Sequence, residues 1–194
     1  MNKEKIIAKN KEHLQELVKK EIDLNGNNCN LNHIDTSLIT DMSFLFEKND
    51  FNGNISQWDV SNVKNMCCMF NHSKFNGDIS QWGVHNLEYM TTMFSSSQFN
   101  GDISKWDVSN VQDMTYLFSS SVFCGDISQY NCVRVKSVAY IFKNCSAPVP
   151  YWAKIDSFED RVAAINAYHN KKLLERLIEK NGMNNSLVRN ILKI

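Results

Sequence analysis

Histidine, cysteine and aspartate are the residue types here that could do chemistry, and their spacing argues against it. The five histidines, His13, His33, His72, His85 and His169, fall in no H-E-x-x-H or H-x-x-x-H pattern and in no nucleophile elbow. The six cysteines, Cys29, Cys67, Cys68, Cys124, Cys132 and Cys145, contain no C-x-x-C pair. They read as reduced, mostly buried thiols of a reducing compartment. Asn54, Asp78, Asp102 and Asp126 recur at a fixed 24-residue spacing, which would stack carboxylates in a ladder roughly 5 Å apart. Calcium needs about six to eight oxygens. One acid per step supplies too few, so a local turn in which each carboxylate accepts a backbone N–H is the simpler account. The expectation is therefore no catalytic residue, no metal ligand and no cofactor, and a protein that is not an enzyme.

What positions those residues is an internal repeat. Phe51-Asn-Gly-Asn-Ile-Ser-Gln-Trp58 returns as Phe75 to Trp82, as Phe99 to Trp106, and in worn form as Phe123 to Tyr130. Aligned copies give apolar columns: Ile55, Ile79, Ile103 and Ile127; Trp58, Trp82, Trp106 and Tyr130; Val60, Val84, Val108 and Cys132. Met42, Met66, Met90 and Met114 follow, each leading to a phenylalanine at Phe46, Phe70, Phe94 or Phe118. A weaker copy begins near Leu31. Columns that drift in identity but keep their volume are what a stacked core tolerates. A fixed period of this size predicts a solenoid whose units bury their apolar faces against one another.

Within a unit, Ile79-x-x-Trp82-x-Val84 reads as a short strand, and Met90-x-x-Met93-Phe94 as one helical turn. The glycines at 53, 77, 101 and 125 read as turn positions where positive φ is cheap. The expected fold class is α+β: a leucine-rich-repeat-like solenoid of about five 24-residue coils with N- and C-terminal helical caps. The expected division is residues 1–26 as the N-terminal cap, 27–146 as the repeats and 147–194 as the C-terminal cap.

The strings Asn32-His-Ile-Asp-Thr-Ser37 and Asp41-Met-Ser-Phe-Leu-Phe46, with the unit F-N-G-D-I-S-x-W-D-V-S-N-V-x-x-M-x-x-M-F, carry a resemblance. Over about residues 27 to 145 the chain resembles the BspA-like leucine-rich-repeat family, also described as a domain of unknown function common in mycoplasmas and gut bacteria. The resemblance implies a solenoid used for binding, often on bacterial surfaces and often to host proteins. It carries no catalytic motif.

The flanks read as helices. Ile6, Ile7, Leu14, Leu17 and Val18 have helical spacing in a lysine- and glutamate-rich segment, with no apolar run of signal-peptide kind. Pro148-Val149-Pro150 breaks the pattern, and Ser157-Phe-Glu-Asp160 is a helix start. Val162, Ile165, Tyr168, Leu173, Leu174, Leu177 and Ile178 continue it to Asn181-Gly182, with a last short helix from Asn185. Lysine plus arginine equals aspartate plus glutamate at 21 each. No basic stripe suits a phosphate backbone, so no nucleic acid is expected, and no segment approaches membrane-spanning length.

The candidate protein-binding residues are the polar ones flanking the strand tryptophan: Gln57, Asp59, Gln81, Lys105, Asp107, Gln129 and Asn131. Alternation puts them on one face of the expected sheet, where they are either a binding surface or a solvated one. The expectation is a non-catalytic interaction module that binds a partner protein through that face or a helical cap. A cytoplasmic bacterial or phage inhibitor or adaptor fits the absence of an evident signal. The alternatives are a surface-displayed adhesin or host-binding factor, and a self-assembling structural repeat.

Overall fold

The computed structural model describes residues 4–181, with side chains placed through residue 176. A two-residue strand β1 (Ile6–Ile7) leads into α1 (Lys11–Asn25), and β2 (Ile34–Asp35) pairs with β1 in parallel, Ile6 opposite Ile34. A 3₁₀ turn at Tyr151–Lys154 precedes α2 (Phe158–Asn181). Ile6 and Ile7 therefore lie in a strand and not in the helix that their spacing suggested. Asn10 caps α1, its side-chain oxygen accepting the His13 N–H at 2.8 Å, and Gly26 ends it at φ 78°. Leu14 and Val18 are its buried face.

The α+β, leucine-rich-repeat-like solenoid of five coils is not what forms. Between residues 36 and 150 the backbone holds turns and isolated bridges, with neither a strand nor a helix, and the one sheet is an open pair. The expected strand Ile79 to Val84 is a turn, closed by the Trp82 N–H on the Ile79 carbonyl at 3.1 Å. Apolar alternation over so few residues satisfies a tight turn as well as a strand, which is why the spacing misled.

The 24-residue period instead joins neighbouring repeats through the Met–Phe segments. Met66, Cys68, Phe70 and His72 donate their N–H groups to the carbonyls of Tyr89, Thr91, Met93 and Ser95, at 2.9 to 3.0 Å. The carbonyls of Asn65, Cys67, Met69 and Asn71 in turn accept from Met42, Phe44, Phe46 and Lys48. Each of these peptide groups is bonded on both sides, its C=O facing the preceding repeat and its N–H the following one. Overlapping turns interrupt any extended strand: the Met69 N–H also reaches the Met66 carbonyl, at 3.2 Å, and Asn71 reaches Cys68. Cys68 and His72 have φ near 57° and 54°, and the same register positions in the other repeats are also positive. A positive φ at the third residue of a four-residue turn is the sign pattern of type II. The helical turn expected at Met90 to Phe94 is one of these turns, with Thr92 at φ 61°.

The apolar columns form the core. The isoleucine, tryptophan, valine, methionine and phenylalanine columns are buried throughout. Phe46, Phe70, Phe94, Phe118 and Phe142 stack face to face at 5.6 to 5.7 Å. Each inner indole ties two repeats together: Trp58, Trp82 and Trp106 donate to the carbonyls of Leu31, Ile55 and Ile79, and the Tyr130 hydroxyl donates to Ile103 at 2.8 Å. A buried indole N–H without such a partner would be costly.

The glycine reading also needs correction. Gly26 is the described glycine with positive φ, and a Cβ at Gly53, Gly77, Gly101 or Gly125 would collide with the phenylalanine ring two residues earlier, at 2.6 to 2.9 Å. These glycines make room for an aromatic ring.

The second flank follows its sequence pattern. The Asp160 N–H donates to the Ser157 hydroxyl at 3.2 Å, starting α2. Arg161 and Ile165 are buried, whereas Leu173 is exposed. The side chains of Leu177 and Ile178, and the short helix expected from Asn185, lie outside the described residues.

Candidate protein-binding site

Gln57, Asp59, Gln81, Lys105, Asp107, Gln129 and Asn131 are all exposed. They flank the buried column Trp58, Trp82, Trp106 and Tyr130, so the period brings them side by side. They sit on turns and not on a sheet face. Asp59 and Asp107 accept the backbone N–H of Ser61 and Ser109, at 2.9 and 3.1 Å. The Ser61 hydrogen bonds hold the Asp59 carboxyl below its ordinary range. Gln81 Nε2 is 3.2 Å from its neighbour Ser80 Oγ, and Gln129 Nε2 donates to the Tyr168 hydroxyl of α2. Part of this face is thus engaged in local bonds, and its Gln129 end is met by α2.

The acid ladder is local too. Asn54, Asp78, Asp102 and Asp126 each accept the N–H of the serine two residues on, at 2.8 to 3.0 Å. For Asp78 and Asp102 those bonds lower the carboxyl pKa. Among the described residues no group of three or more histidine, cysteine or acidic side chains is placed to hold a metal ion.

Burial sets the state of the thiols. Cys132, in the valine column, is pushed up to about 12 by its surroundings, and burial also raises Cys67, Cys68 and Cys145. None has the electropositive, accessible setting of a nucleophilic cysteine.

A second surface was missed in the sequence. The register column Phe44, Cys68, Thr92, Tyr116 and Tyr140 occupies the first positive-φ position of each ladder segment. Its three aromatics are exposed, Phe44 by 50%, Tyr116 by 38% and Tyr140 by 57%. Tyr116 and Tyr140 stack on each other at 4.9 Å, and Lys143 lies 5.3 Å from the Tyr140 ring. Tyr89, three residues before Thr92, is exposed as well. The signal was present as large aromatics at a position that other repeats fill with cysteine or threonine. It lacked meaning until the backbone showed which side of the segment is outward.

The family described as a Mycoplasma protein of unknown function, DUF285, matches residues 12–122 and 95–148. No curated protein and no solved structure matches the chain.

Proposed function

The chain belongs to this Mycoplasma family, DUF285, and on that footing we propose that it is a non-catalytic module that binds a partner protein. The observation that carries this reading is the exposed, stacked pair Tyr116 and Tyr140 in a register column headed by Phe44. Aromatic side chains combine large apolar area with few rotatable bonds, and they dominate the centres of protein interfaces. A stacked pair held by a rigid backbone ladder loses little entropy on docking. The Gln57, Gln81 and Lys105 face is the rim of this reading, because its polar groups already have local partners. Kinship with BspA-like binding proteins, from the motif strings, is part of the same proposal.

No helix among the described residues is long and apolar enough to cross a membrane. Free thiols at Cys67, Cys68, Cys124, Cys132 and Cys145 support a reducing, cytoplasmic setting.

The test is capture from native lysate with tagged protein, read by quantitative mass spectrometry. Tyr116→Ala with Tyr140→Ala should lose a stoichiometric partner at least tenfold, while Gln81→Ala with Lys105→Ala should retain most of it. The reverse ranking would move the site to the polar face. Equal capture by the parent and both variants would remove both faces from the account.

A further inference from the structure

The ladder that joins the repeats is polar along its own direction, and it ends unfilled. In each of four successive steps, four N–H groups at alternate residues donate to four carbonyls of the next repeat. The last such step runs from Met114, Tyr116, Phe118 and Ser120 to Ser137, Ala139, Ile141 and Lys143, at 2.7 to 3.1 Å. The next donors in the series are the N–H groups of Val138, Tyr140, Phe142 and Asn144. None of them has an acceptor among the described residues.

That row borders a cleft of about 390 Å³, lined on one side by residues 136–142 and on the other by Val149, Ala153, Asp156 and Arg161. Arg161 is 1% exposed. Its Nη1 donates to the Ile155 carbonyl, and its Nη2 to the carbonyls of Val135 and Lys136, while its Nε–H is buried without a partner. Asp156 is the one acidic side chain of the lining, against Lys136 and Arg161. A row of outward N–H groups is the positive end of aligned peptide dipoles, so the cleft favours acceptors and negative charge.

We propose that this cleft takes an extended, acidic peptide segment of a partner protein, whose backbone carbonyls fill the free N–H row. Strand addition of this kind draws affinity from main-chain hydrogen bonds and specificity from side-chain pockets. Within the molecule the same row geometry is filled four times by a segment with carbonyls at alternate residues, for example Asp113, Thr115, Leu117 and Ser119. Phosphate or another small anion would meet the charge but leave most of the row empty. The inference rests on the protein-binding reading above and places a second contact away from the aromatic pair's outward side.

The probe is a synthetic peptide, acetylated and amidated, that copies residues 112–121, Gln-Asp-Met-Thr-Tyr-Leu-Phe-Ser-Ser-Ser. It is titrated into the full-length ¹⁵N-labelled chain, with amide shifts and hydrogen exchange read residue by residue. Saturable binding is expected, with the Val138, Tyr140, Phe142 and Asn144 amides shifting most and exchanging at least tenfold more slowly. Ala139→Trp, at an exposed position of the lining, should weaken binding at least tenfold, and Asp→Asn in the peptide should weaken it severalfold without any change to the protein. Tyr116→Ala should leave peptide affinity unchanged, which separates failure of the cleft from failure of the aromatic face. The proposal is overturned if binding does not saturate or if the shifts map elsewhere. It is also overturned if the four amides are already slow in the free chain, because its own residues would then fill the row.

Discussion

Small residues in this chain are fixed by their large neighbours. Gly101 lies so close to the Phe99 ring that a Cβ would stand 2.9 Å from two of its carbons. The ring is fully buried and stacked on Phe75 and Phe123, so it has nowhere to retreat. Gly101→Ala should cost about 1–3 kcal/mol, the usual range for overpacking, in denaturant unfolding. An unchanged midpoint would mean that the glycine serves its turn and not the ring. Cys132 gives a second test. Burial raises its thiol from an ordinary 9.0 to about 12, so between those values the unfolded chain ionises and the folded chain does not. The unfolded state then binds fewer protons, and stability falls as pH rises. This contribution is intact below pH 9 and is lost as pH approaches 12. Cys132→Val, which restores the residue of the other repeats, should flatten the alkaline limb of stability against pH.

Among the elements, the ladder segment departs most from what the sequence suggested. The columns were legible because burial depends on side-chain type, and a period repeats that type visibly. The backbone that connects them was not. Ile79, Trp82 and Val84 alternate as a strand would, yet they belong to a turn. The residues at positive φ, Phe44, Cys68, Thr92, Tyr116 and Tyr140, share no chemical feature that a reader could recognise. For a β-branched side chain this conformation is costly, on the order of 1–2 kcal/mol. Thr92→Asn should therefore raise stability by up to about 1 kcal/mol, since asparagine tolerates the left-handed region, and the melting temperature should rise with it. A fall would show that the bond between Thr92 and the Cys68 thiol outweighs the strain. The candidate site fared similarly. Its polar residues were found and are exposed, while the aromatic column went unseen because its direction depends on those turns.

Across the whole molecule, one set of backbone bonds links repeat to repeat from Met42 to Lys143, and the buried aromatic columns run beside it. The helix α1 lies at the start of that series and α2 meets its far part through Arg161, whose guanidinium holds the carbonyls of Val135, Lys136 and Ile155. Function then follows from what the ladder displays: an exposed aromatic column on its outward positions and unfilled donors at its end. The most direct measurement is amide hydrogen exchange on the intact chain. The account predicts slow exchange at Met66, Cys68, Phe70 and His72, whose N–H groups bond the next repeat, and fast exchange at Gln81 and Gly83, which have no backbone acceptor among the described residues. Slow exchange at Gln81 and Gly83 with fast exchange through Met66 to His72 would contradict it, placing the pairing on the tryptophan segment and removing the basis for the aromatic face.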